Sequence, residues 1–150
     1  MSKDGVHVFP VRVYYEDTDA AGIVYYANYL RFAERARTEL LRDLGIENGQ
    51  MNEQQNLAFV VKRCSMDFVK PAKLDDMLAV ETRLIDIGGA SVTADQRVRR
   101  DQTSLVTMEL KLACMAMDGR PARLPVDVRR RLEDFGVATE SNGSTNSTEN

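Results

Sequence analysis

One helical stretch stands ahead of four consecutive alternating stretches, and that succession narrows the folds open to this chain more than any other feature. Between Asn28 and Leu44 the apolar residues Tyr29, Ala33, Ala36, Leu40 and Leu44 recur every three or four positions, with Leu30 and Leu41 beside them. Gly45 follows, at the place where a left-handed residue ends many helices. The two alanines on the inner stripe let another surface come close to the helix axis. Glu34 with Arg37, and Arg35 with Glu39, have spacings that pair on the outer face. After a polar stretch from Glu47 to Asn56 the period becomes two. Cys64, Met66 and Phe68 alternate up to Pro71, and Leu78, Val80, Thr82 and Leu84 up to Gly88-Gly89. Val92, Ala94, Gln96 and Val98 lead to a polar turn at Asp101-Gln102-Thr103. Val106, Met108, Leu110, Leu112, Cys114 and Ala116 lead to Asp118-Gly119. Runs joined by short turns predict an antiparallel meander with one apolar face.

Ahead of the helix, residues 7–16 are β-branched and aromatic enough for a strand, and Pro10 places its start at an edge or bulge. Asp17-Thr18-Asp19-Ala20-Ala21-Gly22 reads as a short polar turn between that strand and the helix. Val126 to Phe135 reads as a short terminal helix, whereas residues 137–150 are too polar to pack and read as a disordered tail. The expected architecture is α+β: an antiparallel sheet of about five strands wrapped around a long central helix, in one domain over residues 1–136. The chain's 150 residues are enough to bury one real core. Unpartnered sheet edges predict self-association.

Composition removes several function classes. A net charge of −3 gives no electrostatic footprint for nucleic acid or an anionic membrane, and no stretch approaches the length of a membrane-spanning helix. Cys64 and Cys114 match no metal or redox spacing, and two free thiols without a secretory leader suggest the cytoplasm. No metal site is expected, since zinc usually needs several His or Cys ligands. His7 is the only histidine, so Ser-His and Cys-His chemistry requires that the first strand reach the site. Otherwise His7 is a solvated strand-end residue, and the chemistry falls to carboxylates and backbone dipoles.

The stretch Tyr14-Tyr15-Glu16-Asp17-Thr18-Asp19-Ala20-Ala21-Gly22-Ile23-Val24-Tyr25-Tyr26-Ala27-Asn28-Tyr29 carries the most chemistry. It is a carboxylate-bearing turn running into the start of a buried helix. Unpaired amides at such a start bind a carbonyl oxygen, and bind it more strongly as it becomes anionic. A carboxylate a few residues earlier is placed to attack the carbonyl or to activate water. Taken alone, the same pattern also describes an ordinary acidic cap.

This stretch resembles the signature of the 4-hydroxybenzoyl-CoA thioesterase family of hotdog proteins: a strand, Asp-x-Asp-x-x-Gly-[Ile/Val]-Val-x-[Tyr/His]-x-x-Tyr, then the central helix. The Tyr-Tyr-Glu-Asp-Thr-Asp opening is most similar to the Tol-Pal-associated acyl-CoA thioesterase branch. Glu34-Arg35-Ala36-Arg37-Thr38-Glu39 and Pro71-Ala72-Lys73-Leu74-Asp75-Asp76-Met77-Leu78 point the same way, and the similarity covers roughly residues 8–135.

The resemblance implies a bacterial hotdog enzyme that hydrolyses acyl-CoA thioesters. Asp19 would be its catalytic nucleophile or general base. The backbone amide of Tyr26 would donate to the thioester oxygen, a contact worth on the order of 3 kcal/mol. Gly22 would let the chain approach the substrate without a Cβ in the way, and Asp17 would hold the turn. Ser91 keeps a hydroxyl where the family often has one and is a candidate for contacting the ligand.

No cofactor is implied, coenzyme A being part of the substrate. A homo-oligomer, a dimer or tetramer with sites between subunits, is expected, and acyl carrier protein is a candidate partner because it presents the same phosphopantetheine arm. Two departures stand out. Tyr26 replaces the histidine common in the nearest branch, and the hairpin Gly88-Gly89-Ala90 lacks the basic residues that meet coenzyme A phosphates in some members. Lys62, Arg63, Arg97, Arg99 and Arg100 read as solvated strand-edge charges. A hotdog hydratase and a non-catalytic acyl-thioester binder or scaffold are the rival readings.

Overall fold

A computed structural model describes residues 5–46 and 56–138. Strand β1 (Val6–Arg12) is followed by a turn of 3-10 helix at Tyr15–Asp17 and by helix α1 (Asn28–Asp43). Strands β2 (Leu57–Phe68), β3 (Met77–Ile87), β4 (Ser91–Arg100) and β5 (Thr103–Ala116) come next, and helix α2 (Val126–Phe135) closes the order. The strands form one antiparallel sheet in the order β1-β3-β4-β5-β2, with α1 lying against one face. This is the expected α+β hotdog arrangement.

The register explains why an alanine-lined helix seats there. Val80, Val98 and Val106 form one row across β3, β4 and β5; Thr82, Gln96 and Met108 form the next, and Leu84, Ala94 and Leu110 the third. All nine are buried, and the α1 stripe of Tyr29, Phe32, Ala33, Ala36 and Leu40 is buried with them. Phe32 is wholly buried, which contributes about 1.5–3 kcal/mol relative to exposure. A second cluster forms where α2 covers the far end of the sheet, joining Val128, Leu132 and Phe135 to Leu40, Leu84 and Val92. There Arg131 Nη1 donates to the Leu44 carbonyl at 2.9 Å and satisfies one of the open acceptors at the end of α1.

The structure departs from the sequence reading in several places. The four alternating runs are not a simple meander: β3, β4 and β5 are consecutive hairpin neighbours, but β2 lies beyond β5. The reason is the segment 69–76, which is a crossing and not a turn. Val69 and Lys70 donate to Leu105, Ala72 meets the buried Tyr29, and Asp76 receives Val13 at the end of β1, so the chain passes under the helix start from the β2 edge to β3, the strand next to the opposite edge. β2 also begins at Leu57, ahead of its alternating part, because a register shift between Val61 and Arg63 resets the period.

Arg35–Glu39 and Glu34–Arg37 do not pair: Glu39 binds Arg42 at 2.7 Å, and Arg37 turns inward. Val137 and Ala138, assigned to the polar tail, bond beside Leu84 on β3. The rest of that tail, from residue 139, lies outside the described residues.

Candidate active site

The residues between β1 and α1 fold into a small closed bulb. Asp17 Oδ2 accepts from the Tyr14 amide at 2.8 Å, and the Asp17 carbonyl accepts from both the Tyr25 amide and Asn28 Nδ2. Asp17 therefore ties the end of the first strand to the first residue of the helix. Above it, Thr18 bridges Val24 and the Asp19 amide donates to the Ile23 carbonyl at 2.9 Å. Residues 19–22 form the tip, closed by Gly22 N–H to the Asp19 carbonyl at 2.9 Å. Gly22 has φ +81°, which side-chain-bearing residues rarely adopt, and a Cβ there would meet nothing within 4 Å. A backbone conformation at the tip is what this glycine supplies, and open space stands above it.

Asp19 sits exposed at that tip, with Oδ1 accepting from the Ala21 amide at 2.9 Å. One carboxylate oxygen is thus held by the loop. Tyr26 lies just past the base of the bulb. Its amide and that of Ala27 find no hydrogen-bond acceptor among the described residues, whereas the next three amides bond back to Tyr25, Tyr26 and Ala27. No acidic side chain occupies the first turn of α1 to neutralise its positive end. The Tyr26 ring is exposed, 4.8 Å from Tyr25 by centroid and edge-on to Phe68 at 6.2 Å. Beneath, the Tyr29 hydroxyl accepts from the Ala72 amide at 3.0 Å and Val24 donates to the Ala72 carbonyl, so the crossing segment braces the helix start.

Alongside α1 a cavity of about 520 Å³ opens between the helix and the sheet. Leu30, Glu34, Arg37, Thr38 and Leu41 line it from the helix; Phe59 and Cys64 of β2 and Leu110 of β5 line it from the sheet. Burial raises the Cys64 thiol above its ordinary pKa, with the Arg37 charge opposing, so Cys64 behaves as a small apolar wall residue.

Asp19, Gly22 and Tyr26 belong to one bulb, but Ser91 does not join them. It opens β4 at the other end of the sheet, where its carbonyl accepts from Gly88 and its Oγ lies over the Gly88 Cα. His7 is equally remote. It is buried, not solvated as the sequence suggested, and its Nε2 lies 2.8 Å from Asp43 Oδ2. Asp43 ends α1, about 24 Å from the helix start. Arg97, Arg99 and Arg100, read as solvated charges, are half-buried in pairs with Asp95, Glu81 and Asp76. Sequence reasoning missed Arg37 and Gln96 as cavity and core polar residues. Gln96 within an otherwise apolar alternation was the available signal.

Residues 13–132 match the family described as the thioesterase-like superfamily. The "Acyl-CoA thioesterase YbgC" of Haemophilus influenzae is 48% identical over 122 residues, covering 81% of this chain and 90% of that protein. The "Acyl-CoA thioester hydrolase YbgC" of Escherichia coli O6:H1 is 41% identical over 122 residues, covering 80% and 90%. In structure, the "Probable Thioesterase" of Bartonella henselae superposes with a TM-score of 0.78 at 38% identity, covering 80% of this chain and 99% of that one. The matched span takes in the Asp19 bulb, the helix, the crossing segment and all of β2 to β5, and on that ground the chain belongs to the thioesterase-like superfamily.

Proposed function

We propose that this protein hydrolyses acyl-CoA thioesters, with Asp19 as nucleophile or general base and the Tyr26 amide as donor to the thioester oxygen. The observation that carries the reading is the pair of uncommitted amides at an α1 start that no acidic side chain neutralises, beside a pinned loop with an exposed carboxylate. As the carbonyl carbon becomes tetrahedral its oxygen gains charge, and a fixed amide at the positive end of a helix stabilises that charge more than it does the starting carbonyl. Asp19 either adds to the carbon and expels the coenzyme A thiolate, leaving an anhydride for water to open, or takes a proton from the water that adds. Both routes yield a free acid and the thiol.

The names of the Haemophilus influenzae and Escherichia coli relatives support acyl-CoA as the substrate. His7 is buried with its Nε2 2.8 Å from Asp43, and an imidazole so engaged argues against a hydratase, which would pair it with Asp19. Because Ser91 opens β4 far from Asp19, a site that includes both residues needs two copies of the chain, and we read the protein as a cytoplasmic homodimer or dimer of dimers. Gly22 gives the substrate an unobstructed approach at the tip.

Asp19→Asn is expected to abolish thiol release from a panel of short, long and aromatic acyl-CoA thioesters while leaving the circular dichroism spectrum and thermal midpoint unchanged. A variant that keeps most of the wild-type rate would sink the mechanism. Binding of the esters without turnover by the wild-type protein would favour the acyl-thioester binding role, and turnover confined to acyl carrier protein thioesters would reassign the carrier.

A further inference from the structure

The cavity beside α1 is apolar on its sheet side, yet a guanidinium forms part of its helix wall. Arg37 Nη1 donates to Gln96 Oε1 at 2.9 Å. Gln96 is wholly buried and is itself fixed, its Nε2 donating to the Ala33 carbonyl at 3.0 Å and to Thr82 Oγ1 at 2.9 Å. A chain of polar groups thus runs from the sheet floor under the helix to the cavity, and it aims Arg37 rigidly. Of the five donors on a guanidinium, this one bond is the only one that Arg37 makes among the described residues. Glu34, one turn earlier on the same wall, is near enough for its charge to act on Arg37, and its carboxylate accepts no bond among the described residues. Burial alone would favour an uncharged side chain here. A fixed donor set beside a free acceptor is the complement of a hydroxyl, which accepts through its oxygen and donates through its proton.

The position follows from helix geometry. The Arg37 Cα lies about 15 Å along the axis from the N-cap Ala27, and helical side chains lean about one turn back toward the helix start. The guanidinium therefore reaches the cavity about 10 Å from where the thioester carbonyl would sit. Carbon–carbon bonds of about 1.5 Å advance an extended chain by about 1.25 Å per carbon, so that distance is about eight carbons. We propose that the cavity selects linear acyl chains bearing a hydroxyl about eight carbons from the thioester, the oxygen accepting from Arg37 and the proton going to Glu34. The proposal rests on the thioesterase reading above and names the substrate class of the same site.

The test compares kcat/KM for 8-hydroxyoctanoyl-CoA and octanoyl-CoA. In the wild type the hydroxylated ester should be favoured by about tenfold, because a plain chain displaces water from the half-buried Arg37 and leaves its open donors without an acceptor. In Arg37→Met the ratio should fall to about one. If that variant fails to fold with Gln96 stranded, the Arg37→Met/Gln96→Met double variant takes its place with the same expectation. Glu34→Gln, on an exposed position, should improve the nonanedioyl mono-CoA ester about tenfold by removing the charge that opposes a terminal carboxylate. Equal kcat/KM for the two octanoyl esters, or a preference that survives the loss of Arg37, overturns the inference while leaving the thioesterase reading standing. No turnover of any ester overturns both.

Discussion

Asp76 joins three segments through one residue. Its carboxylate accepts from the Lys73 amide at 2.8 Å and from Arg100 Nη1 at 2.7 Å, and its carbonyl receives the Val13 amide at 2.9 Å. Burial pushes the carboxyl upward, but the Lys73 amide and the Arg100 charge together outweigh it and hold Asp76 below the ordinary carboxylate range. A depressed folded pKa contributes stability that is present above the unfolded value, about pH 4, and is lost as pH falls through the folded value. Asp76→Asn should therefore lower stability by up to about 1 kcal/mol at neutral pH, with the gap to the wild type closing below about pH 4 in denaturant titrations. A gap that stayed constant from pH 7 to pH 3 would refute this role. At this scale the bulb around Asp19 was legible, because its hydrogen bonds are local: Asp17 to Tyr14, Asp19 to Ala21, Gly22 to Asp19. His7 and Arg37 were not, because their partners Asp43 and Gln96 come from distant parts of the chain and no local pattern brings them together.

At the level of elements, α1 depends on how closely it approaches the sheet. Ala33 and Ala36 are wholly buried over rows that include the bulky Val80, Val98 and Met108. Enlarging either alanine pushes the helix away from a close-packed floor. Ala36→Leu should destabilise by about 1–3 kcal/mol, read as a lower denaturant midpoint at unchanged slope, while the same change at exposed Arg31 should leave the midpoint nearly unmoved. The helix and the strands β3, β4 and β5 were readable because each keeps its period over a long stretch, the shifts at Leu84/Asp86 and Val98/Arg99 falling near strand ends, and because each has a definite stop: Gly45 after α1, Gly88-Gly89 and Asp101-Gln102 between strands. β2 was half hidden. Its register shift puts Leu57 to Val61 out of phase with Cys64 to Phe68, so the first part shows no alternation. The sheet order was hidden too, because Pro71 marks the end of a strand equally well whether the chain turns or crosses.

For the whole molecule, the proposed site shared between copies turns on the β2 edge of the sheet. β2 ends the sheet and exposes Val60, Val61, Phe68 and, just beyond, Val69, beside the aromatic pair Tyr25 and Tyr26. An edge of that length with apolar side chains pairs readily with another strand. In the proposed assembly it meets the β2 of a second copy. Val61→Lys with Phe68→Lys, both on exposed positions, should convert the proposed oligomer to monomers in analytical ultracentrifugation and remove thioesterase activity with it. A wild type that is monomeric and fully active would rule out a site shared between copies.

The crossing under the helix start also governs the order in which this chain can acquire its structure. Among the described residues β1 pairs only with β3, Val6 opposite Arg83, and β2 only with β5, Leu57 opposite Ala116. β1 has no neighbour until the chain has been made as far as β3, which ends at Ile87, and β2 none until β5, which ends at Ala116. The β3–β4–β5 hairpins, by contrast, close over short spans and are the natural nucleus. β1 and β2, with the residues proposed for catalysis between them, therefore wait on β3 and β5, and their apolar side chains stay uncovered longest during synthesis.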